Sequence, residues 1–585
     1  MRSMSLAGLA VVGILAVLAG GSPARAEWLG YHSSSSSTLL RPSANFAAYA
    51  VKYDLPDPAK VYEVKTLSIF SASEVQYPVF PAGTDIVIRI FSGAGVPLYT
   101  SQVFSLAGIA SDILWRDFDI ALAHVQVQGS FYGGMEQRGT GFTFGFLCDY
   151  PSGSTYGRSY RYMNSTASWA PQPDDYMFNA LVAAIVPPTW TGAVGDHFED
   201  AANWQDGGPP GAGLSAIFGP AATNQPVLYR NESVKRVEFN SADWTVGGAF
   251  ALTVGDGGVA CTTAGNNTIN AAVVLGANST WTQASGGSLT LGGGLNIAGR
   301  TLTKDGAGTL AIGGTQDHTA GSVLNVTSGV LSLATDAGGT AGNCNLAVSA
   351  SAASIVQFGA TQHLAALNLG GTSSAAIATG GTKAIVTKVL TLAESSPGVP
   401  TSRLDLGDGN LTVDYAAGGA SPLSAVRDWV RAGYNQTGGG DWGGQGITSS
   451  AAVGDAALLT AVGVLDNSDP LVGGRTTFEG QTVDASSVLV KYTYWGDANF
   501  DGAVTFDDYD IIDYYYWFPL PAAQMGWWTG DFDYDGNVDF DDYDKIDYAY
   551  WFQGAPLGGL SGVPEPATLA LLALGACAAL ARRRR

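Results

Sequence analysis

The chain has 585 residues, of which 78 are glycine and only 13% are charged. This composition is unfavourable for helical bundles and favours β-rich structure with many tight turns, because glycine adopts positive φ without steric cost. The formal net charge is −22, which leaves no basic surface for nucleic-acid phosphates. We therefore expect a mainly β protein of several domains without a nucleic-acid partner.

Residues 1–26 have the features of a secretory signal peptide. Arg2 supplies a positive start, an apolar stretch follows at 6–18, and Ala24-Arg25-Ala26 forms a small-x-small cleavage site. A permanent hydrophobic anchor is the alternative, but the apolar stretch is short for a membrane span. We expect export across the inner membrane and cleavage after Ala26.

Residues 27–187 are predicted to form a β-sandwich. Segments such as TDIVIRIFSG at 84–93 and FTFGFLCDY at 142–150 alternate apolar and polar residues, which is typical of strands with one buried face. Turn residues separate these segments at short intervals and favour antiparallel pairing. The closing segment, GRSYRYMNSTASWAPQPDDYMFNALV, resembles the last strands of the jelly-roll sandwiches that secreted bacterial proteins carry as accessory modules.

Residues 188–395 are predicted to form a β-solenoid. Short β-prone segments rich in Thr, Val and Leu end in Gly or Asn turns and recur roughly every twenty residues, the spacing of stacked rungs. The segment LTKDGAGTLAIGG at 302–314 resembles the autotransporter-associated β-strand repeat. In this interpretation Leu302 and Leu310 point into the solenoid. A second β-sandwich is the alternative for this region.

Residues 396–490 are predicted to connect the solenoid to the next module. Ser421-Pro422 is a typical helix start. The apolar residues that follow it at helical spacing are Leu423, Val426, Trp429 and Val430. The segment then ends in a predicted strand, VLVKYTY.

Residues 491–556 contain two near copies of an acidic segment, GDANFDGAVTFDDYDIIDYYYWF and GDFDYDGNVDFDDYDKIDYAYWF. Each copy follows the spacing of an EF-hand calcium loop, with Gly at position 6 and Asp at position 12, where Glu is usual. We call these loop 1 (497–508) and loop 2 (531–542). We predict one Ca²⁺ in each, because hard cations prefer oxygen ligands and the carboxylates repel one another without a cation. The predicted ligands are Asp497, Asn499, Asp501, the carbonyl of Ala503, Thr505 and Asp508 in loop 1, and Asp531, Asp533, Asp535, the carbonyl of Asn537, Asp539 and Asp542 in loop 2.

Two calcium loops that are each followed by one helix resemble dockerin type I. The resemblance implies a small helical module that folds with its metals and docks on a cohesin-like protein. Phe506-Asp507 and Phe540-Asp541 stand where dockerins usually present small hydroxyl residues to cohesin, so the resemblance supports calcium binding more strongly than docking. We expect most of the aromatic residues to form the core of the module. The residues that share one helical face are Tyr509, Ile512 and Tyr516, with Tyr543, Ile546 and Tyr550 in the second copy.

Residues 557–585 resemble the PEP-CTERM sorting signal of bacterial surface proteins, which is also catalogued as an ice-binding-protein C-terminal motif. An apolar stretch at 567–581 lies between a Pro-Glu-Pro segment and a basic end. The residues of the signal are Val563, Pro564, Glu565 and Pro566, followed at the end by Arg582, Arg583, Arg584 and Arg585. The resemblance implies a short transmembrane helix, an exosortase-type sorting protease and delivery to the cell envelope or extracellular matrix. A permanent C-terminal anchor is the alternative.

No catalytic constellation is visible in the sequence. The five His are dispersed, and HExxH, CxxC, Gly-x-Ser-x-Gly and P-loop patterns are absent. We therefore predict a non-enzymatic, secreted structural or adhesive protein of the cell surface, with exopolysaccharide as a candidate partner. The alternative is a carbohydrate-binding or dockerin-docked component of extracellular polysaccharide degradation. A solenoid enzyme is the third hypothesis.

Overall fold

The computed structural model describes residues 27–558 with short gaps. The gaps are 31–36, 41–45, 59–60, 74–84, 96, 108–113, 121–124, 138–143, 150–158, 164–167, 172–174, 177, 185–186, 206–207, 221, 381–382 and 470–472. The predicted signal peptide and the predicted sorting signal with its transmembrane helix lie outside the described residues. Within the described part, no helix has both the length and the apolar character needed to cross a membrane. The chain divides into two compact units, Met1–Pro187 and Pro188–Arg585.

The first unit contains two antiparallel sheets. Its strands are β1 (Glu27–Gly30), β2 (Ser37–Leu40), β3 (Phe46–Asp54), β4 (Val61–Ser73), β5 (Asp85–Ser92), β6 (Pro97–Thr100), β7 (Phe104–Ser105), β8 (Leu114–Asp119), β9 (Val125–Gln128), β10 (Ser130–Gln137), β11 (Phe144–Asp149), β12 (Ser159–Met163), β13 (Ser168–Pro171), β14 (Asp175–Tyr176) and β15 (Phe178–Ala184). One sheet has the order β1-β15-β4-β11-β14, with β2 on β11 and with β8 and β9 on β4. The other has the order β13-β12-β3-β10-β5-β6, with β7 on β5.

Both sheets contribute to one hydrophobic core, as in a β-sandwich. Leu67 and Ile69 of β4 and Ile88 of β5 are fully buried. The rings of Tyr53 and Phe131 stack with their centroids 5.1 Å apart in the same core. Apolar residues therefore alternate along strands of both sheets and meet between them.

The second unit is built mainly of short strands. They are β16 (Thr189–Trp190), β17 (Trp204–Gln205), β18 (Ser215–Phe218), β19 (Val227–Leu228), β20 (Glu232–Phe239), β21 (Thr245–Gly248), β22 (Ala251–Cys261), β23 (Gly265–Ile269), β24 (Ala272–Leu275), β25 (Ser279–Gln283), β26 (Gly287–Leu291), β27 (Leu295–Asn296), β28 (Thr301–Asp305), β29 (Thr309–Ile312), β30 (Ser322–Val326), β31 (Val330–Leu333), β32 (Leu346–Ala350), β33 (Ile355–Phe358), β34 (Gln362–Leu364), β35 (Ala366–Leu369), β36 (Ser374–Ile377), β37 (Ala384–Thr387), β38 (Leu390–Leu392), β39 (Glu394–Ser396), β40 (Val399–Pro400), β41 (Arg403–Asp405), β42 (Asn410–Asp414), β43 (Gly446–Thr448), β44 (Thr460–Asp466), β45 (Thr477–Phe478), β46 (Gln481–Thr482) and β47 (Ser487–Tyr494).

Most of these strands pair in parallel and form a β-solenoid, which we call the stack. One sheet has the order β17-β16-β18-β20-β22-β25-β28-β30-β32-β35-β38, and a second has the order β19-β21-β23-β26-β29-β31-β33-β36-β41-β43. A third has the order β34-β37-β42-β47-β44. The prediction of a mainly β protein with a central solenoid is confirmed, and the parallel pairing rules out the sandwich alternative for this region.

Each rung of the stack buries alternate residues. Leu289, Leu310, Leu331 and Val356 are register partners on four consecutive strands, and all four are fully buried. Leu302 is also fully buried, as its position in the alternating pattern predicts. Identical positions therefore superpose along the stack, and each rung depends on its neighbours for its core.

The stack continues beyond residue 395, where the sequence pattern places its end. β41 pairs in parallel with β36 and β43, and β42 pairs in parallel with β37. The regular spacing is lost here, because the 40 residues between β41 and β43 contain β42 and the helix Leu423–Tyr434. Antiparallel pairs of β47 with β42 and β44 follow.

The described residues contain four α-helices, all after the regular part of the stack. They are α1 (Leu423–Tyr434), α2 (Ser450–Gly454), α3 (Phe506–Trp517) and α4 (Phe540–Phe552), with single 3₁₀ turns at Ala201–Asn203, Gly339–Ala341, Gln436–Gly438, Ala522–Gln524 and Trp527–Thr529. Helix α1 begins directly after Pro422 and buries Val426, Trp429 and Val430. One hydrophobic core extends from Trp190 through the stack to Ala549 of α4. The structure thus joins the segments 396–490 and 491–556 to the solenoid in one compact unit.

Candidate metal centre

Each acidic loop leads directly into a helix, loop 1 into α3 and loop 2 into α4. Thr505 and Asp539 are the N-cap residues, and their side chains accept hydrogen bonds from amides of the first helical turn. The carboxylates of Asp508 and Asp542 accept hydrogen bonds from the N-cap amides at 2.8 and 3.0 Å. Loop positions 9 and 12 therefore form a capping box that begins the helix and fixes the last carboxylate of each loop.

Loop 2 brings three predicted ligands together. Carboxylate oxygens of Asp531, Asp533 and Asp535 lie within 4.8 Å of one another, and they are the only such acidic group in the described chain. Asp531 is 2% exposed, and its Oδ1 has no hydrogen-bond partner. A buried carboxylate oxygen without a donor is costly. The donor set and this oxygen fit a hard divalent cation, which takes carboxylate and carbonyl oxygens.

The closing carboxylate of loop 2 is held beside this group. Oδ1 of Asp542 accepts hydrogen bonds from the amides of Phe532 and Asp533 at 2.7 and 3.2 Å. Burial raises the pKa of Asp531 to about 7 and that of Asp542 to about 8, and the neighbouring carboxylates contribute to both shifts. These two groups therefore resist ionisation at neutral pH, and a cation among them would favour the charged forms.

Loop 1 has the same turn but a different environment. Oδ1 of Asp497 accepts from the amide of Asp501, and Oδ2 accepts from the amide of Gly502, both at 3.0 Å. The hydroxyl of Thr493 also donates to Oδ2. Burial raises the pKa of Asp497 to about 6, while the ammonium of Lys491 opposes this shift. The first carboxylate of loop 1 thus has a side-chain donor in addition to its backbone donors, whereas Asp531 of loop 2 interacts with the equivalent amides of Asp535 and Gly536 and leaves its Oδ1 unpartnered.

Cations also lie beside loop 1. Nζ of Lys491 donates to the carbonyl of Phe500 at 3.1 Å and is 3.0 Å from Oε1 of Glu479. The guanidinium of Arg475 donates to the carbonyl of Asn499. Sequence reasoning missed these residues, although a Lys at a buried position of the alternating segment VLVKYTY was a signal that could have indicated one of them.

The other predicted ligands line the two loops. Side chains at positions 3 and 5 make equivalent turns, because Asn499 and Asp533 accept from the amides of Asp501 and Asp535 at 2.9 and 3.1 Å. Asp501 and Asp535 likewise accept from the amides at position 7 at 3.0 and 2.8 Å. At positions 7 and 9, Ala503, Thr505 and Asp539 are half-buried and Asn537 is exposed.

The two repeats pack against each other in a reciprocal way. Gly496 precedes loop 1 and lies against Ile546 of α4, and Gly530 precedes loop 2 and lies against Ile512 of α3. A Cβ at these glycines would lie 2.5 and 2.7 Å from the respective isoleucine side chains, so only glycine fits. Ile512 and Ile546 are fully buried, as the helical face in the sequence predicts.

Aromatic residues join the loops to the stack. The indole nitrogen of Trp527 donates to the carbonyl of Asp497 at 2.8 Å, and the hydroxyl of Tyr534 donates to the carbonyl of Val462 in β44 at 2.6 Å. A Cβ at Gly463 of β44 would lie 2.6 Å from Phe500 and 2.7 Å from the indole of Trp527. The acidic loops are therefore packed onto the last strands of the stack.

The outer sides of α3 and α4 carry many aromatic residues that are not buried, whereas the sequence predicts that most aromatic residues of this module lie in its core. Tyr509, Tyr516, Tyr543 and Tyr550 are only half-buried. Eight further aromatic residues are exposed, namely Phe506, Tyr514, Trp517 and Phe518 on α3 with its C-cap, and Phe540, Tyr548, Trp551 and Phe552 on α4. Aromatic residues occur on every side of these helices, so helical spacing alone cannot show which of them are buried.

Residues 562–585 match the PEP-CTERM protein-sorting motif. The match includes every residue of the predicted sorting signal, from Val563 to Arg585. No curated protein matches the chain in sequence. The motif indicates a secreted protein that an exosortase processes and that is sorted to the cell envelope, as the sequence predicts.

Proposed function

We propose that this protein is a calcium-stabilised structural and adhesive protein of the cell surface, in which the two acidic loops close the C-terminal end of the solenoid. The observation that carries the proposal is the unpartnered, buried Oδ1 of Asp531 within a group of three carboxylates. That group lies in the module that shares the core of the stack. A solenoid needs a cover at each end, since its terminal rungs otherwise expose apolar side chains.

In loop 2, Asp531, Asp533, Asp535 and Asp542 would hold the cation, with the carbonyl of Asn537 as a further ligand. The bound calcium would supply the positive charge that offsets repulsion among these carboxylates. In loop 1 the equivalent positions would hold a second ion. Loop 1, α3, loop 2 and α4 together form what we call the C-terminal cover. Because each loop begins a helix and packs on β44, ordering the loops would order the whole C-terminal cover.

Thermal unfolding of the full chain tests this proposal. We expect the melting temperature to rise on addition of calcium and to respond far less to magnesium, whose smaller octahedral shell retains water. Asp531→Asn should remove most of the response, and Asp541→Asn, an exposed acidic residue outside the predicted ligands, should preserve it. A melting temperature that changes with neither calcium nor chelator would refute the proposal that calcium stabilises the C-terminal end of the solenoid.

The processing of the tail is tested separately by mass spectrometry of protein from the cell surface. We expect the mature chain to end near Pro564–Pro566 and to lack Arg582–Arg585. Intact arginines on most of the surface protein would instead favour a permanent anchor.

The alternative role, a dockerin-docked component of polysaccharide degradation, requires a protein partner on the first turns of α3 and α4. Those turns present Phe506-Asp507 and Phe540-Asp541, which are exposed and differ from the small hydroxyl residues of dockerins. We therefore favour the structural role. We also retain the prediction that the chain is not an enzyme.

A further inference from the structure

The outer sides of α3 and α4 form a surface with an unusual density of exposed rings. Among the described residues, eight of the eighteen exposed large apolar side chains lie on these two helices and the C-cap of α3. Phe506 and Phe540, at equivalent positions of the two repeats, are 74% and 73% exposed, and Trp517 and Trp551 are 74% and 76% exposed. Exposed apolar patches of this kind mark interaction sites, because burial of these rings is otherwise favourable.

Four of these exposed rings, together with four half-buried tyrosines, form two equivalent groups at opposite ends of the helix pair. In the first group, Phe506 and Tyr509 lie 6.0 and 5.8 Å from Tyr550, which contacts Trp551 at 5.5 Å. The second group repeats this arrangement with the helices exchanged. There the centroid distances from Tyr516 are 6.2 Å to Phe540, 5.7 Å to Tyr543 and 5.5 Å to Trp517. We call these two groups together the aromatic face.

Hydrogen bonds between the helices hold the tyrosines of the aromatic face in place. The hydroxyl of Tyr509 donates to Oδ1 of Asp547, and the hydroxyl of Tyr543 donates to Oδ1 of Asp513, both at 2.5 Å. Each bond joins a ring of one repeat to a carboxylate of the other. Tyr509 and Tyr543 are thus held in place before any ligand binds, which lowers the entropic cost of binding.

Charge restricts what can bind to the aromatic face. Three exposed aspartates lie on each helix, Asp507, Asp510 and Asp513 on α3 and Asp541, Asp544 and Asp547 on α4. The one cationic side chain on these helices, Lys545, points to the ring of Trp495 at 4.6 Å. An anionic lipid surface or a second copy of this acidic chain would be repelled.

We infer that the aromatic face binds an extended polysaccharide that carries no acidic groups. Sugar rings offer C–H faces that pack on aromatic rings, and their hydroxyl or amino groups donate hydrogen bonds to carboxylates, which only accept. The outermost rings of the two groups on α3, Phe506 and Trp517, are eleven residues apart, about 16 Å along the helix axis. A polymer can contact both groups at once, and a single sugar cannot.

This inference names a ligand for the adhesive role and rests on the proposed function, since both helices begin at the calcium loops. Electrophoresis of the full chain through gels with dissolved polysaccharide, in calcium, provides the test. We expect retardation by a neutral glucan or an amino-sugar polymer such as glycol chitosan, and none by alginate. The double variant Trp517→Ala, Trp551→Ala should bind about tenfold more weakly or worse.

Phe250→Ala is the matched control, because Phe250 is an exposed ring (43%) in a turn of the solenoid. It should leave binding unchanged, and the double variant should keep the calcium-dependent melting temperature of the wild type. Retardation by alginate alone or by no polysaccharide, or equal losses in the control, would overturn the inference. So would retention on anionic vesicles or self-association that the double variant abolishes, which would assign the face to lipid or to a second copy.

The same measurements separate the two proposals. If the melting temperature depends on calcium but no polysaccharide binds, the proposed calcium-dependent cover is supported and the polysaccharide ligand is rejected. If glucan binds through Trp517 and Trp551 but the melting temperature does not depend on calcium, the polysaccharide ligand is supported and the calcium-dependent cover is rejected.

Discussion

At the N-terminal end of the stack, β16 and β17 pair as an antiparallel ribbon over packed aromatic rings, whereas acidic loops and two helices pack on the last strands at the C-terminal end. The ring of Trp204 lies 5.1 Å from that of Trp190 and 4.9 Å from that of Phe198, each edge to face. Its indole nitrogen donates to the carbonyl of Phe198 at 2.6 Å. All three side chains are buried, and no charge is needed among them.

The comparison shows that one structural requirement, covering an open rung, is met with two kinds of chemistry. The N-terminal cover, which consists of β16, β17 and the buried rings beside them, gains its stability from apolar burial and from hydrogen bonds of its indole nitrogens. The C-terminal cover contains buried carboxylates, Asp497, Asp508, Asp531 and Asp542, whose ionisation burial opposes. The stability of the N-terminal cover should therefore not depend on calcium concentration or pH, whereas the stability of the C-terminal cover should depend on both.

The largest effect that we expect comes from Trp204→Ala at the N-terminal cover. Removing this buried side chain leaves a cavity and should lower the free energy of unfolding by about 3–5 kcal/mol. Chemical denaturation in calcium and in chelator should give the same loss, because Trp204 in β17 lies at the opposite end of the stack from the two acidic loops. A loss that depends on calcium would contradict the separation of the two covers.

Calcium removal should act on the other end. With calcium at about a hundredfold above its dissociation constant, binding stabilises the folded loops by about 2.7 kcal/mol. Chelation should then raise amide exchange in α3, α4 and β44 by about a hundredfold, measured by hydrogen–deuterium exchange and mass spectrometry. Amides of β18 and β20, near the N-terminal cover, serve as the internal control. Equal acceleration at both ends would show that the stack opens as one unit.

The sequence predicts the buried and acidic positions of these regions better than it predicts where the solenoid ends. Alternation identified Leu302 and Leu310 as inward residues, and the spacing of Asp531, Asp533 and Asp535 identified a group that the structure brings together. These are local patterns, in which a few neighbouring residues determine the backbone geometry.

The long-range contacts could not be predicted in this way. The bond from Tyr534 to Val462 joins residues 72 positions apart, and β43 follows β41 only after an insertion with α1. A repeat spacing that is interrupted carries no periodic signal, so the end of the stack was placed too early. The exposure of Trp517 and Trp551 was missed because the core of α3 and α4 uses one residue per turn and leaves the neighbouring rings outside.

The two calcium loops should differ by a smaller amount than the two covers. Asp497 has three protein donors and Lys491 nearby, whereas Oδ1 of Asp531 has no partner. Loop 2 also has Asp533 where loop 1 has Asn499. We expect loop 2 to bind calcium about tenfold more tightly, a difference of about 1.4 kcal/mol.

Calorimetric titration of the full chain measures this difference. Asp531→Asn should remove the tighter of two binding events, and Asp497→Asn should remove the weaker one. Asp541→Asn, which leaves both ligand sets intact, is the control. Loss of the tighter event in Asp497→Asn would reverse the assignment, and a single event in the wild-type chain would limit calcium to one loop.

The last effect that we expect is the pH dependence of the C-terminal cover without calcium. Burial raises the pKa of Asp531 to about 7 and that of Asp542 to about 8 in the folded chain, from about 3.9 when unfolded. Groups with a raised folded pKa contribute full stability below the unfolded value and lose it as pH rises through the folded value. In calcium-free buffer the melting temperature should thus fall by a few degrees between pH 5.5 and 8.

Calcium should reverse the direction of this change, because calcium and protons compete for the same carboxylate oxygens and the ion binds better at pH 8. Asp542→Asn removes the highest of these pKa values and should flatten the calcium-free profile. Asp541→Asn should leave the profile unchanged, since that side chain is exposed. A calcium-free melting temperature that rises from pH 5.5 to 8 would show that Asp531 and Asp542 ionise readily without a cation, and the chemical contrast between the two covers would then be lost.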